Sequence, residues 1–122
     1  MQARLAFCKD ENGQTAAEFA LVLIVFLGLV FGTLGLSFAV WANETLQYAA
    51  EATARCLSVT PSSCANVQTY GLSQYAGPNI SPVFSQPSSP GCGHPVKAIA
   101  TIPLDAVVVS TSISLTALAC FP

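Results

Sequence analysis

From Phe19 to Asn43 the chain runs for 25 residues without a formal charge, and Leu, Val, Phe, Ala and Gly dominate that run. About 20 such residues suffice to cross the hydrocarbon core of a bilayer, so the pattern predicts a transmembrane helix over residues 14–42. The helical pattern then continues with a different character. In "NETLQYAAEATARCL" the apolar or small residues Leu46, Ala49, Ala50, Thr53 and Leu57 recur at helical spacing, while Glu44, Glu51 and Arg55 fall on the other side. Glu51 and Arg55 stand four apart in the favourable order for an ion pair along one helix. Residues 43–60 therefore read as an amphipathic continuation of the spanning helix, which runs from about Gln14 to about Ser58, on the order of 68 Å at 1.5 Å per residue. Pro61 ends it, because proline removes a donor and biases Thr60 away from helical angles.

Beyond Pro61 the pattern changes again. Ser62 or Ser63 is placed to cap a second, short helix within Cys64–Ala76. Gly77–Pro95 is rich in proline, glycine and serine and reads as a loop. Val96, Ala98, Ala100 and Ile102 then alternate with Lys97, Ile99 and Thr101, and Val107–Phe121 is β-branched with polar residues interleaved. Pro103–Ala106 separates the two runs. The expectation is an antiparallel pair of strands packed on the outer half of the long helix, since an isolated hairpin is marginal in water. The fold class that follows is α+β: a long N-terminal helix and a small extracytoplasmic domain over residues 61–122, with the loop at 77–95.

Composition narrows the function. Charged residues make up only 8% of the chain and hydrophobic ones 52%, far from the roughly one quarter charged in an average soluble domain. Arg55 and Lys97 are the only cationic side chains after the span, which argues against a nucleic-acid partner. With one histidine, no nucleophile motif and no glycine-rich loop entering a helix, the chain offers no acid–base or phosphate site, so neither an enzyme nor a cofactor is expected. Arg4 and Lys9 precede the span and Glu44 and Glu51 follow it, which favours an N-terminus in the cytoplasm. The cysteines agree: Cys8 lies before the span, whereas Cys56, Cys64, Cys92 and Cys120 lie after it, an even set suited to an oxidising compartment. Cys56–Cys64 would staple the helix end across Pro61 and Cys92–Cys120 would tie the loop to the last strand, although four cysteines leave three pairings open. "CGH" sets a thiol beside His94, but no paired C-x₂-C spacing supports a metal site. Trp41 suits an interfacial anchor, and Gly28, Gly32 and Gly35 form a small-residue stripe that lets spanning helices approach closely.

One carboxylate is out of keeping with this picture. Glu18 stands at the mouth of the apolar run, where an ionisable group is costly and by default functional. Gly13-Gln14-Thr15-Ala16-Ala17-Glu18-Phe19, directly before the span, resembles the processing site of type IV prepilins. That resemblance implies cleavage between Gly13 and Gln14 by a membrane-embedded prepilin peptidase, after a leader of residues 1–13. Glu18 becomes the fifth residue of the mature chain, Phe19 follows it, and the Glu18 carboxylate is implied to pair with the new N-terminus, on Gln14, of a neighbouring subunit. The likeness is closer still over Gly13–Cys56, where "TLQYAAEATAR" follows the span. This stretch is similar to the TadE-like minor pilins, or pseudopilins, of tight-adherence (type IVb) pilus secretion systems. The family implies a subunit acting in pilus assembly or adhesion. It implies, as partners, the peptidase, other pilin subunits and an inner-membrane assembly platform. The location implied is the inner membrane, single-pass with the C-terminal domain in the periplasm, and the pilus after assembly. Two other readings fit the residues. One is an uncut, signal-anchored envelope protein whose periplasmic domain binds a partner. The other is a secreted fragment released after Val40-Trp41-Ala42, against which stands an apolar run longer than the usual signal-peptide core of about 7–15 residues.

Overall fold

The computed structural model describes residues 11–88, 91–105 and 110–122. Its elements are α1 (Glu11–Val59), a single 3₁₀ turn (Pro61–Ser63), α2 (Val67–Gln74), β1 (Val83–Ser85), β2 (His94–Asp105) and β3 (Ser110–Phe121), an α+β order. The chain divides into two compact units at residues 37 and 38.

The first unit is the apolar part of α1. Its most apolar window of 18 residues has a mean hydropathy of 2.7, and none of it is buried against the rest of the protein. Two hydroxyls in the interior of this stretch turn inward on the helix backbone: Thr33 Oγ1 donates to the Val30 carbonyl at 2.9 Å and Ser37 Oγ to the Thr33 carbonyl at 2.8 Å. Neither is left needing water, as an apolar surrounding requires. Within the described residues α1 already covers Glu11–Gly13, before the expected start at Gln14. The expected leader therefore lies mostly outside the described residues, with only its last three positions in α1.

The second unit contains the core. Ala42, Leu46, Ala49, Ala50, Thr53, Ala54 and Leu57 form the buried face of α1, which is the face that the helical spacing predicts. Thr53, the one buried polar residue there, donates its hydroxyl to the Ala49 carbonyl at 2.7 Å. Against this face lie Val96, Ala98 and Ala100 of β2 and Ala117 and Ala119 of β3. The β2–β3 register pairs Ala98 with Ala117 and Val96 with Ala119, antiparallel throughout.

The sheet has three strands in the order β1-β2-β3, not two. The additional strand lies inside the segment read as a loop. Gln68 of α2 recruits it: its Oε1 accepts from the Phe84 amide at 2.6 Å and its Nε2 donates to the Pro82 carbonyl at 3.0 Å. Phe84 is thereby held in the core over Gly71, where a Cβ would lie 2.7 Å from both ring Cδ atoms. With Pro82 before it and Pro87 after it, β1 remains a three-residue edge strand, the position that tolerates flanking prolines.

Two further boundaries differ from the expectation. β2 starts at His94 and continues through Pro103 to Asp105, with Pro103 opposite Ser112, so the break expected at Pro103–Ala106 lies farther on. β1 pairs only with Lys97–Ile99, so Pro95 and Pro103 occupy positions where β2 has no neighbour on that side and a missing amide proton costs no ladder bond. Residues 106–109, including the first part of the expected second strand, lie outside the described residues. The cap of α2 is Asn66, whose Oδ1 accepts from the Thr69 amide at 3.0 Å, rather than Ser62 or Ser63. Those serines are taken up by the 3₁₀ turn that Pro61 opens.

Candidate functional site

The residues singled out around the span lie on the first turns of α1. Gly13 has open space where a Cβ would be, and Glu18 and Phe19 are exposed, Phe19 by 67%. Among the described residues the Glu18 carboxylate has no hydrogen-bond or ion-pair partner. A carboxylate at the edge of a long apolar helix, with nothing among the described residues to neutralise it, is costly unless another group does so. Gly28, Gly32 and Gly35 are likewise open on every side that a methyl group would meet. Nothing in this chain's own packing requires them to be glycine. Trp41 is half exposed and meets Phe38 edge-on, with ring centroids 5.9 Å apart and planes at 69°.

In the outer unit the four cysteines are paired. Cys56 is bonded to Cys64 and Cys92 to Cys120, which selects one of the three connectivities open to the sequence. The first bond holds the end of α1 against the turn after it. The second joins the approach to β2 with the end of β3, where Pro95 is opposite Cys120. With Cys92 in a disulfide, the Cys92-Gly93-His94 run keeps only an imidazole as a metal donor. Among the described residues no group of three or more His, Cys, Asp or Glu side chains converges.

Two features of this unit were not apparent in the sequence. The first is a groove of about 510 Å³ beside α1, bordered by Tyr48, Glu51, Arg55, Thr60, Tyr70 and Phe121. The expected Glu51–Arg55 ion pair does not form there. Glu51 Oε1 instead accepts from Gln47 Nε2 at 2.9 Å, one turn earlier, and Gln47 also reaches the Leu118 carbonyl at 3.5 Å. An exposed i, i+4 ion pair is worth only a few tenths of a kcal/mol, so a side chain already anchored by β3 competes well for the carboxylate. Arg55 is left exposed, with no partner among the described residues.

The second feature is the close approach of the chain after α2 to α1. A Cβ on Gly77 would collide with Thr45 Oγ1 and with the Tyr75 hydroxyl. Tyr75 Oη donates to the Pro78 carbonyl at 2.9 Å, which closes this turn. Burial raises the Tyr75 phenol above its ordinary value of 10.0, and the neighbouring Thr45 hydroxyl offsets part of that rise. A glycine and a tyrosine in a polar loop carry no sequence signal of such a contact.

Among the described residues, then, the chemistry on offer is that of helix packing, an unpaired carboxylate, an unpaired guanidinium and a disulfide-tied surface. Comparison with known proteins agrees with the resemblance seen over Gly13–Cys56: residues 13–55 match the model of a family described as TadE-like protein. No curated protein and no solved structure matches the chain.

Proposed function

Taking residues 13–55 as a TadE-like segment, and hence the protein as one associated with a tight-adherence pilus, we propose that it is a minor pilin, or pseudopilin, of such a type IVb system. A prepilin peptidase cuts it between Gly13 and Gln14, and it then acts in pilus assembly or adhesion. The observation that carries this reading is the Glu18 carboxylate, without a partner among the described residues, five residues after Gly13 and directly before the apolar run of α1. A neighbour's newly formed N-terminus at Gln14 supplies a positive charge to this carboxylate, and two groups costly in lipid offset each other.

The chain's own residues suit the cut. Gly13 lies in α1 ahead of the charge-free run that starts at Phe19. Glycine in a helix is about 1 kcal/mol less favourable than alanine, so the bond after it opens more readily for a peptidase than one deeper in the span. Removal of residues 1–13 from the chain of 122 leaves a product of 109 residues. It is held in the inner membrane by residues 14–42, with 43–122 in the periplasm until assembly, where disulfides form. Its partners are the peptidase, other pilin subunits and the assembly platform.

Intact mass and N-terminal sequence, with and without the cognate peptidase, test this. A peptidase-dependent start at Gln14 is the expected result. An uncut Met1 chain in both cases supports the second reading, a signal-anchored envelope protein that binds a partner through its outer domain, for which the Tyr48–Arg55 groove is the specific observation.

A further inference from the structure

The two outer strands of the sheet treat their free edges differently. On β1 the residue whose backbone faces away from β2 is Phe84, and its amide is taken by Gln68 Oε1 at 2.6 Å, while Gln68 Nε2 holds the Pro82 carbonyl beside it. β3 has no such guard. In an antiparallel ladder the backbone groups of successive residues point to alternate sides. Phe84 faces away from β2, so its partner Ala98 faces β3 and bonds with Ala117. Ile113, Leu115 and Ala119 share that parity, which leaves Ser112, Ser114, Thr116 and Leu118 facing outward. The Leu118 carbonyl agrees, for it accepts from Gln47 Nε2 of α1 at 3.5 Å. The amides and carbonyls of Ser112, Ser114 and Thr116 have no partner among the described residues.

This edge also lacks the devices that ordinarily close one. Ser110–Phe121 is 12 residues long, about twice the usual strand. It contains neither charge nor proline. Its register with β2 is one to one from His94 to Asp105, so no bulge turns it away. Ile113 and Leu118 are exposed, one on each face of the strand.

We propose that the β3 edge is an acceptor for an extended segment of another protein, which adds to the sheet as a fourth strand. A row of free amides and carbonyls at strand spacing is matched by a second extended backbone. A further copy of this chain does not supply it, because its β1 edge is closed by Gln68. Pairing β3 antiparallel with β3 needs a two-fold axis perpendicular to the sheet. That axis reverses the part of α1 packed on the sheet, so the chains leading back from Phe38 run opposite ways and do not enter one membrane. Parallel pairing turns the second sheet over and sets its hydroxyl-bearing face beside the apolar face of the first. The segment that fits alternates. Its apolar side chains lie beside Ile113, Leu115 and Ala117, and its hydroxyl-bearing ones beside Ser112, Ser114 and Thr116. This site does not depend on cleavage after Gly13.

The test is fluorescence anisotropy of a labelled ten-residue peptide, valine alternating with threonine between terminal lysines, with the purified full chain in detergent. Saturable binding is expected, together with slowed hydrogen exchange over residues 112–118. The same peptide N-methylated along its central backbone is expected not to bind, a comparison that needs no variant of the chain. Ser114→Pro and Thr116→Pro each remove an outward amide without touching the ladder to β2, and each is expected to weaken binding about tenfold or more. Ser114→Ala keeps the amide and is expected to leave binding unchanged. Disulfide formation, read by alkylation shift, checks that each variant folds. No saturable binding up to about 1 mM, equal binding of the N-methylated peptide, or unchanged binding in both folded proline variants would overturn the proposal. A chain that intact mass shows to be uncut by the peptidase, yet binds in this way, keeps the edge site and overturns the pilin reading alone.

Discussion

Tyr75 shows how much one side chain controls in a unit this small. Its hydroxyl closes the turn onto Pro78, and its ring lies where Gly77 approaches Thr45 of α1. Burial favours the neutral phenol, so its folded value lies above 10.0. Below about pH 10 the phenol is neutral in the folded and unfolded chain alike, and the stability it contributes is fully present. As pH rises past 10, the unfolded chain loses its proton first, and that contribution is lost through the folded value. Tyr75→Phe is therefore expected to remove this part of the alkaline decline while costing about 1 kcal/mol at neutral pH for the missing hydrogen bond. Thermal melts of the full chain in detergent at about pH 8 and about pH 11 check both effects. Gly71→Ala acts elsewhere on the core: the new methyl displaces the Phe84 ring and is expected to cost about 1–3 kcal/mol. An unchanged melting temperature in that variant would mean that Phe84 has another place to go.

At the level of elements, the regular part of the fold was legible because hydrophobic spacing is a direct consequence of burial. The charge-free run before Asn43, the buried face at Leu46, Ala49, Ala50, Thr53 and Leu57, and the alternation at Val96–Ile102 all appear where the periodicity predicts. What escaped was decided by single side chains reaching across the sequence. β1 forms because the Gln68 amide, 16 residues before Phe84, binds its backbone, and no pattern within Val83–Ser85 announces that. Glu51 pairs with Gln47 rather than Arg55 because β3 already anchors Gln47. The cysteine pairing stayed open because spacing alone does not give proximity. Its energetic consequence follows from loop length. Cys92–Cys120 closes a separation of 28 residues and Cys56–Cys64 one of 8, so loop-closure entropy gives about 3.6 against about 2.5 kcal/mol. Cys92→Ser is accordingly expected to lower the denaturation midpoint more than Cys56→Ser. Equal losses, measured by near-ultraviolet circular dichroism in denaturant, would mean that native contacts rather than loop closure dominate.

For the whole molecule the question is why a single chain joins a fully exposed apolar helix to a small disulfide-tied sheet. In water the first unit is a liability, since its most apolar window has no buried residue. In a bilayer its apolar side chains need no partner, and Glu18 at its edge has none among the described residues. This part of the candidate site was legible in the sequence itself, because a carboxylate beside a charge-free run is conspicuous. The groove beside Arg55 was not, because the side chains that border it, from Tyr48 to Phe121, come from distant parts of the chain. If Glu18 serves assembly rather than anchoring, removal of its charge separates the two. Glu18→Ala is expected to leave membrane insertion, disulfide formation and cleavage after Gly13 intact, because the apolar run and the glycine remain. Its incorporation into filaments should fall by about tenfold or more, since the loss of one partner leaves the other charge unpaired in lipid, a penalty of several kcal/mol for a buried pair. Glu18→Gln should fall nearly as far, for it preserves shape and hydrogen bonding but not charge. Separating sheared filaments from membranes and probing both fractions for the chain checks this. If Glu18→Gln incorporates normally while Glu18→Ala does not, a hydrogen bond rather than a charge sets the register. If both incorporate normally, Glu18 does no more than mark the edge of the span.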